Sequence, residues 1–157
     1  MERTRQEDRA MEYYRRAGNL APDWVLPGLH MALLFQQKGR LDKAEQEYMK
    51  VLELSPEEPL ARLGIVRLLR ERGELVRAEK EATGFLTLAP GYVQTYVELG
   101  MIYEASREYT KATEAFDAYL KLAPNSPDHE QIRNLAERDR KLSSHEPPSL
   151  RRNAPGN

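Results

Sequence analysis

Residues 93–126 read VQTYVELGMIYEASREYTKATEAFDAYLKLAPNS, and the frame of this stretch recurs upstream. Its Ala112 has counterparts at Ala78, Ala44 and Ala10, each 34 residues earlier, and its Pro124 has counterparts at Pro90, Pro56 and Pro22 at the same interval. Two unrelated residue types holding one register across four copies identify a stacked repeat array. Such an array buries its faces only between neighbours, so it has no single enclosed core.

The full copies align without gaps as residues 25–58, 59–92 and 93–126. In the first, Leu29, Ala32, Leu33 and Phe35 form one apolar stretch, and Leu41, Ala44, Tyr48, Val51 and Leu52 form a second. Steps of three and four residues are helical. Gly39 and Gly73 stand between the two stretches of their copies, where a residue that takes positive φ cheaply ends a helix. Each copy therefore reads as helix, tight turn, helix. The recurring alanine lets paired helices approach closely, and the recurring proline stops each second helix. Arg107 occupies the glycine position of the third copy, which predicts strain of about 1 kcal/mol in that turn.

This pattern resembles the tetratricopeptide repeat, with its aromatic, Leu-Gly, Tyr, Ala, Phe, Pro signature. The third copy carries it most fully: Tyr96, Leu99-Gly100, Tyr103, Ala112, Phe116, Pro124. The first reads Gly28, Met31-Ala32, Phe35, Gly39, Ala44, Tyr48, Pro56, and the second reads Arg62, Ile65-Val66, Leu69, Gly73, Ala78, Ala82, Pro90. The resemblance implies an all-α, right-handed α-solenoid of antiparallel helix-turn-helix units with a C-terminal capping helix. It departs from the family at Val51, Phe85 and Tyr119, where members usually carry a small residue. Ala82 offsets Phe85, since the other copies have Tyr48 and Phe116 there; that swap conserves volume.

Residues 1–22 match only a second helix, through Ala10, Tyr14, Ala17, Leu20 and Pro22. No first helix precedes them, which leads to the expectation that the chain is a fragment of a longer protein. Residues 127–142 are predicted as the capping helix, with Ile132, Leu135, Ala136 and Leu142 as its thin apolar stripe. Residues 143–157 turn to Ser, Pro, Asn and Gly and are expected to be a disordered tail, because they cannot offset their own ordering entropy.

The chain has 157 residues, a net charge of −1 and 31% charged residues of both signs. That balance gives no basic excess for nucleic acid or an anionic membrane. No apolar run reaches the roughly 18 residues of a membrane span. Cysteine is absent, so thiolate chemistry and disulfides are excluded. His30, His129 and His145 fall in different elements, and no zinc-binding histidine spacing, nucleophile elbow or phosphate loop occurs. No catalytic, cofactor or metal site is expected. A cytoplasmic location is expected, with a periplasmic or anchored one if a signal lies upstream.

The resemblance implies a concave groove lined by first helices that holds a peptide or helix. Carried onto this chain, the groove residues are Leu26, Leu29, Leu33 and Gln36 in the first copy. They are Leu60, Leu63, Arg67 and Arg70 in the second, and Gln94, Val97, Met101 and Glu104 in the third. Leucines on such a face suit an amphipathic partner, with the arginines pairing its acidic groups. The expected function is a non-catalytic protein-interaction scaffold. The alternatives are a docking region of a larger enzyme, with its catalytic part upstream, and a module that self-associates through its exposed N-terminal half-repeat. Some family members clamp a chaperone's C-terminal carboxylate with Lys and Asn. Leu29, Leu33 and Gly64 stand at those positions here, so no such binding is expected.

Overall fold

The computed structural model describes residues 2–145, with side chains from Gln6 onward. Among these residues all regular structure is helical: α1 (Glu2–Leu20), α2 (Val25–Gln37), α3 (Leu41–Leu54), α4 (Pro59–Glu71), α5 (Leu75–Leu88), α6 (Gln94–Ala105), α7 (Tyr109–Leu122) and α8 (His129–Ser144). They fall into two compact units, Met1–Glu74 with α1–α4 and Leu75–Asn157 with α5–α8.

In the first unit α2 packs on both α1 and α3, and α3 packs on α4. The recurring Ala44 and the Tyr48 beside it are fully enclosed. A Cβ at Gly64 would lie 2.3 Å from the Tyr48 ring, so the phenol seats directly on bare helix backbone. Pro59 opens α4 at its first turn, where a missing N–H costs nothing, and the Glu58 carboxylate accepts from Leu60 N–H at 3.4 Å. Arg72, at the end of α4, ties the start of α3 to this turn through Asp42 and Glu45, each at 2.7 Å.

In the second unit α6 packs on α5 and α7, and α7 packs on α8. Its core joins Val97, Ala112, Phe116, Tyr119, Ile132 and Ala136. A Cβ at Gly100 would lie 2.2 Å from the Phe116 ring, the same ring-on-glycine contact as in the first unit. Full burial of side chains this large stabilises by about 1.5–3 kcal/mol each.

Three turns share one conformation. Gly39 (φ 67°), Gly73 (φ 74°) and Arg107 (φ 60°) are left-handed. The following N–H in each case reaches back five residues: Arg40 to Phe35 O (2.9 Å), Glu74 to Leu69 O (2.9 Å) and Glu108 to Tyr103 O (2.8 Å). This is the Schellman ending of a helix. The expected strain at Arg107 is therefore present, since an L-residue with a Cβ holds the conformation that glycine adopts freely.

Two expectations for the C-terminal helix need correction. It runs through Ser144 rather than ending at Leu142, because Ser143 and Ser144 hydroxyls donate to the Arg140 and Lys141 carbonyls (2.9 and 2.6 Å). Its stripe continues from Ile132 and Ala136 to Asp139, which is buried, while Leu142 is exposed. The three- and four-residue step from 132 through 136 reaches 139, so helical geometry overrides side-chain polarity at that position. The rest of the expected tail, residues 146–157, lies outside the described residues.

Candidate functional site

The first helices were expected to present a binding face, and each unit treats that face differently. On α2 of the first unit, Leu26 and Leu33 are 44% and 40% exposed, and on α4 Leu60 is 53% exposed. These three leucines are surface. Leu29 and Leu63 are not: they are 3% and 2% exposed, so both are corrected from groove lining to core. The reason is clearest on α4, where Ala61, Leu63, Gly64, Ile65, Val66, Leu68 and Leu69 are all buried. A helix covered on most of its circumference has no free apolar face for periodicity to reveal.

Gln36 plays a role that its position did not suggest. Its Oε1 accepts from Tyr48 Oη at 3.0 Å, and its Nε2 donates to Glu71 Oε1 at 2.7 Å. The amide thus connects α3, α2 and α4. Burial pushes the Tyr48 phenol up to about 12, with Glu71 raising it further and the nearby Arg67 charge opposing. The hydroxyl remains a donor across the physiological range. Arg67 and Arg70 are half-buried, and both already interact within the protein.

On α6 of the second unit, Gln94 is exposed, Val97 is buried, and Met101 and Glu104 are half-buried. Val97 belongs to the core with Ile132 and Ala136 of α8, and Met101 packs against the same cluster. Val97 is therefore also corrected to core. Glu104 forms an ion pair with Arg138 of α8. A core shared by α7 and the capping helix, not an open face, is the neighbour of these side chains.

Elsewhere the chemistry is structural. His30 stacks on Tyr14 with ring centroids 4.7 Å apart and planes 13° apart. Tyr103 Oη donates to Glu79 Oε1 at 2.9 Å, and burial followed by this bond raises its pKa. Tyr119 Oη donates to Asp128 Oδ1 at 2.5 Å, and that bond holds the carboxyl below its ordinary range. Burial raises the Asp139 carboxyl, with Arg138 Nε at 3.3 Å opposing. Among the described residues no group of three or more His, Cys, Asp or Glu side chains could hold a metal ion, and no helix is long and apolar enough to cross a membrane.

Models of tetratricopeptide repeats match residues 29–93 and 93–126, together well over half of the sequence. The chain belongs to the tetratricopeptide repeat family. No curated protein sequence matches it, whereas solved structures do. MamA (residues 41 to the end) from Desulfovibrio magneticus RS-1 is 19% identical, with a TM-score of 0.66 over 92% of this chain and 90% of that one. The TPR2B domain of yeast Sti1, solved as a complex with pHsp70, is 17% identical, with a TM-score of 0.68 over 74% of this chain and 96% of that one. The first such domain of Spaghetti (RPAP3), bound to the HSP90 peptide SRMEEVD, is 19% identical, with a TM-score of 0.63 over 76% and 90%. At these identities the likeness is one of fold, and this tetratricopeptide protein shares with them stacked helical hairpins.

Proposed function

We propose that the chain is a non-catalytic interaction module that holds a peptide or helix of another protein against its first helices. The observation that carries this reading is the exposure of Leu26, Leu33 and Leu60 on α2 and α4. The other large apolar residues of those two helices are buried or half-buried. Apolar side chains left open on first helices, flanked by Gln37 and Glu71, suit an amphipathic segment: the leucines take its apolar face and the polar neighbours its rim. The fold supports it, since two of the similar structures are complexes with peptides or partner chains.

The segment held is not a free acidic C-terminus. In place of donor side chains the chain offers Leu29, which is buried, Leu33, and Gly64, which lies beneath Tyr48. Two measurements test the proposal. Affinity capture should return a partner with the wild-type chain and lose it with Leu33→Glu and Leu60→Glu, while both variants keep wild-type helicity and melting. Equal capture by all three would remove the assigned face. The peptide SRMEEVD should show no saturable micromolar binding; binding that vanishes on C-terminal amidation would restore the carboxylate-clamp reading.

A further inference from the structure

The exposed side chains of α2 lie along a single line. Leu26, His30, Leu33 and Gln37 are exposed, and steps of four, three and four residues place them in one stripe down the helix. Leu60 and Glu71 are exposed near the two ends of α4. Gln36 Nε2 donates to Glu71 Oε1 at 2.7 Å, so the last turns of α2 and α4 lie side by side. From Leu26 to Gln37 the stripe covers about 16 Å of helix axis.

The leucine end restricts the backbone that can lie on it. An extended segment needs about five residues to cross the stripe, and each brings an N–H and a C=O that must find a partner once covered. The leucines offer none. His30 is stacked on Tyr14 of α1, and the Gln36 amide already serves Tyr48 Oη at 3.0 Å as well as Glu71. An α-helix satisfies its own backbone and asks of these leucines only apolar contact.

The other end restricts the charge. α2 ends at Gln37 and α4 at Glu71, so the negative ends of both helix dipoles lie beside the Glu71 carboxylate. Neighbouring cations are already matched: Lys38 with Glu7 and Asp8 at 3.6 and 3.1 Å, and Arg72 with Asp42 and Glu45 at 2.7 Å each. Arg67 and Arg70 also interact within the protein. An ionised carboxylate has acceptor sites beyond the one that receives the Gln36 amide. This end therefore suits a cation from outside.

We propose that the occupant of this face is an amphipathic α-helix of a partner protein, about three turns long, with apolar side chains on Leu26, Leu33 and Leu60 and a lysine or arginine on Glu71. The proposal rests on the interaction face assigned above and narrows its occupant to one backbone geometry and one charge.

Panning a displayed library of random peptides, each about 14 residues long, on the full chain tests both levels. Binders that Leu33→Glu and Leu60→Glu release should carry apolar residues at steps of three and four, followed or preceded by a lysine or arginine. As free peptides they should gain helical circular dichroism on binding. Proline at the centre of the apolar stripe should weaken them by about a hundredfold. Glu71→Gln removes the charge and keeps an acceptor for the Gln36 amide. It should weaken them by about threefold, an effect that vanishes in high salt or when the peptide's own lysine or arginine is replaced by glutamine. Released binders that tolerate the proline would overturn the helix and leave the interaction face standing. Helical binders indifferent to Glu71→Gln would overturn the proposal too, because the charged end would then take no part. If no binder depends on Leu33 and Leu60, the face itself falls and the helix with it.

Discussion

The two units build one template and finish it differently. In the second, α8 lies against the helices before it: Val97 shares a core with Ile132 and Ala136, Met101 packs on that core, and Glu104 pairs with Arg138. In the first, Leu26, Leu33 and Leu60 stay open, and Val51 packs directly on Gly28 where the third repeat carries Tyr119 and Tyr96. The helical hairpin is the same; a handful of side chains decides whether its flank is covered or exposed. Stability and availability are thus distributed unequally along a chain whose backbone repeats.

The sharpest test of that inequality is truncation of equivalent rings. Phe116→Ala should cost about 3–5 kcal/mol in urea unfolding, because the ring is fully enclosed. Tyr14→Ala, at the equivalent position of half-buried α1, should cost far less; equal losses would erase the distinction between sealed and open flanks. Next come the glycines under the rings. Gly100→Ala and Gly64→Ala should each lose about 1–3 kcal/mol by overpacking. Gly84→Ala, whose Cβ meets nothing within 4 Å, should gain about 0.5–1 kcal/mol.

A smaller effect carries a pH signature. Tyr119→Phe should cost about 0.5–1.5 kcal/mol at neutral pH. Because Tyr119 holds the Asp128 carboxyl below its ordinary range, this contribution is complete above the unfolded carboxylate value. It is lost as the pH falls through the lower folded value. Wild type and variant should therefore converge in acid, and a gap constant with pH would show that the bond to Asp128 is not its source. The smallest effect is a gain: Arg107→Gly should raise stability by at most about 1 kcal/mol by releasing the left-handed residue, measured as a higher melting temperature.

The repeat period, the hairpins and even the strained turn at Arg107 are readable from residue spacing, because they depend on contacts within one hairpin or on backbone sterics. The binding face is less so. Helical periodicity says that Leu29, Leu33, Leu63 and Val97 share apolar faces, but not which neighbour covers them. On α4 nearly every side is covered, and on α6 the cover comes from α7 and α8, the latter with the acidic Asp139 in its stripe. The link through Gln36 had no signal in the sequence, since one amide among many polar side chains carries no mark of its partners.

That link has a consequence for how the helices of the first unit sense one another. An amide has a polarity of direction: at Gln36 the oxygen is committed to the tyrosine and the nitrogen to the glutamate. Turning it over would set oxygen against carboxylate, since an ionised carboxylate only accepts, so Glu71 keys the side chain into a single orientation. A residue drawn as an ordinary surface glutamine thereby acts as a joint pin, and any ligand that competes for Glu71 would loosen three helices at one point.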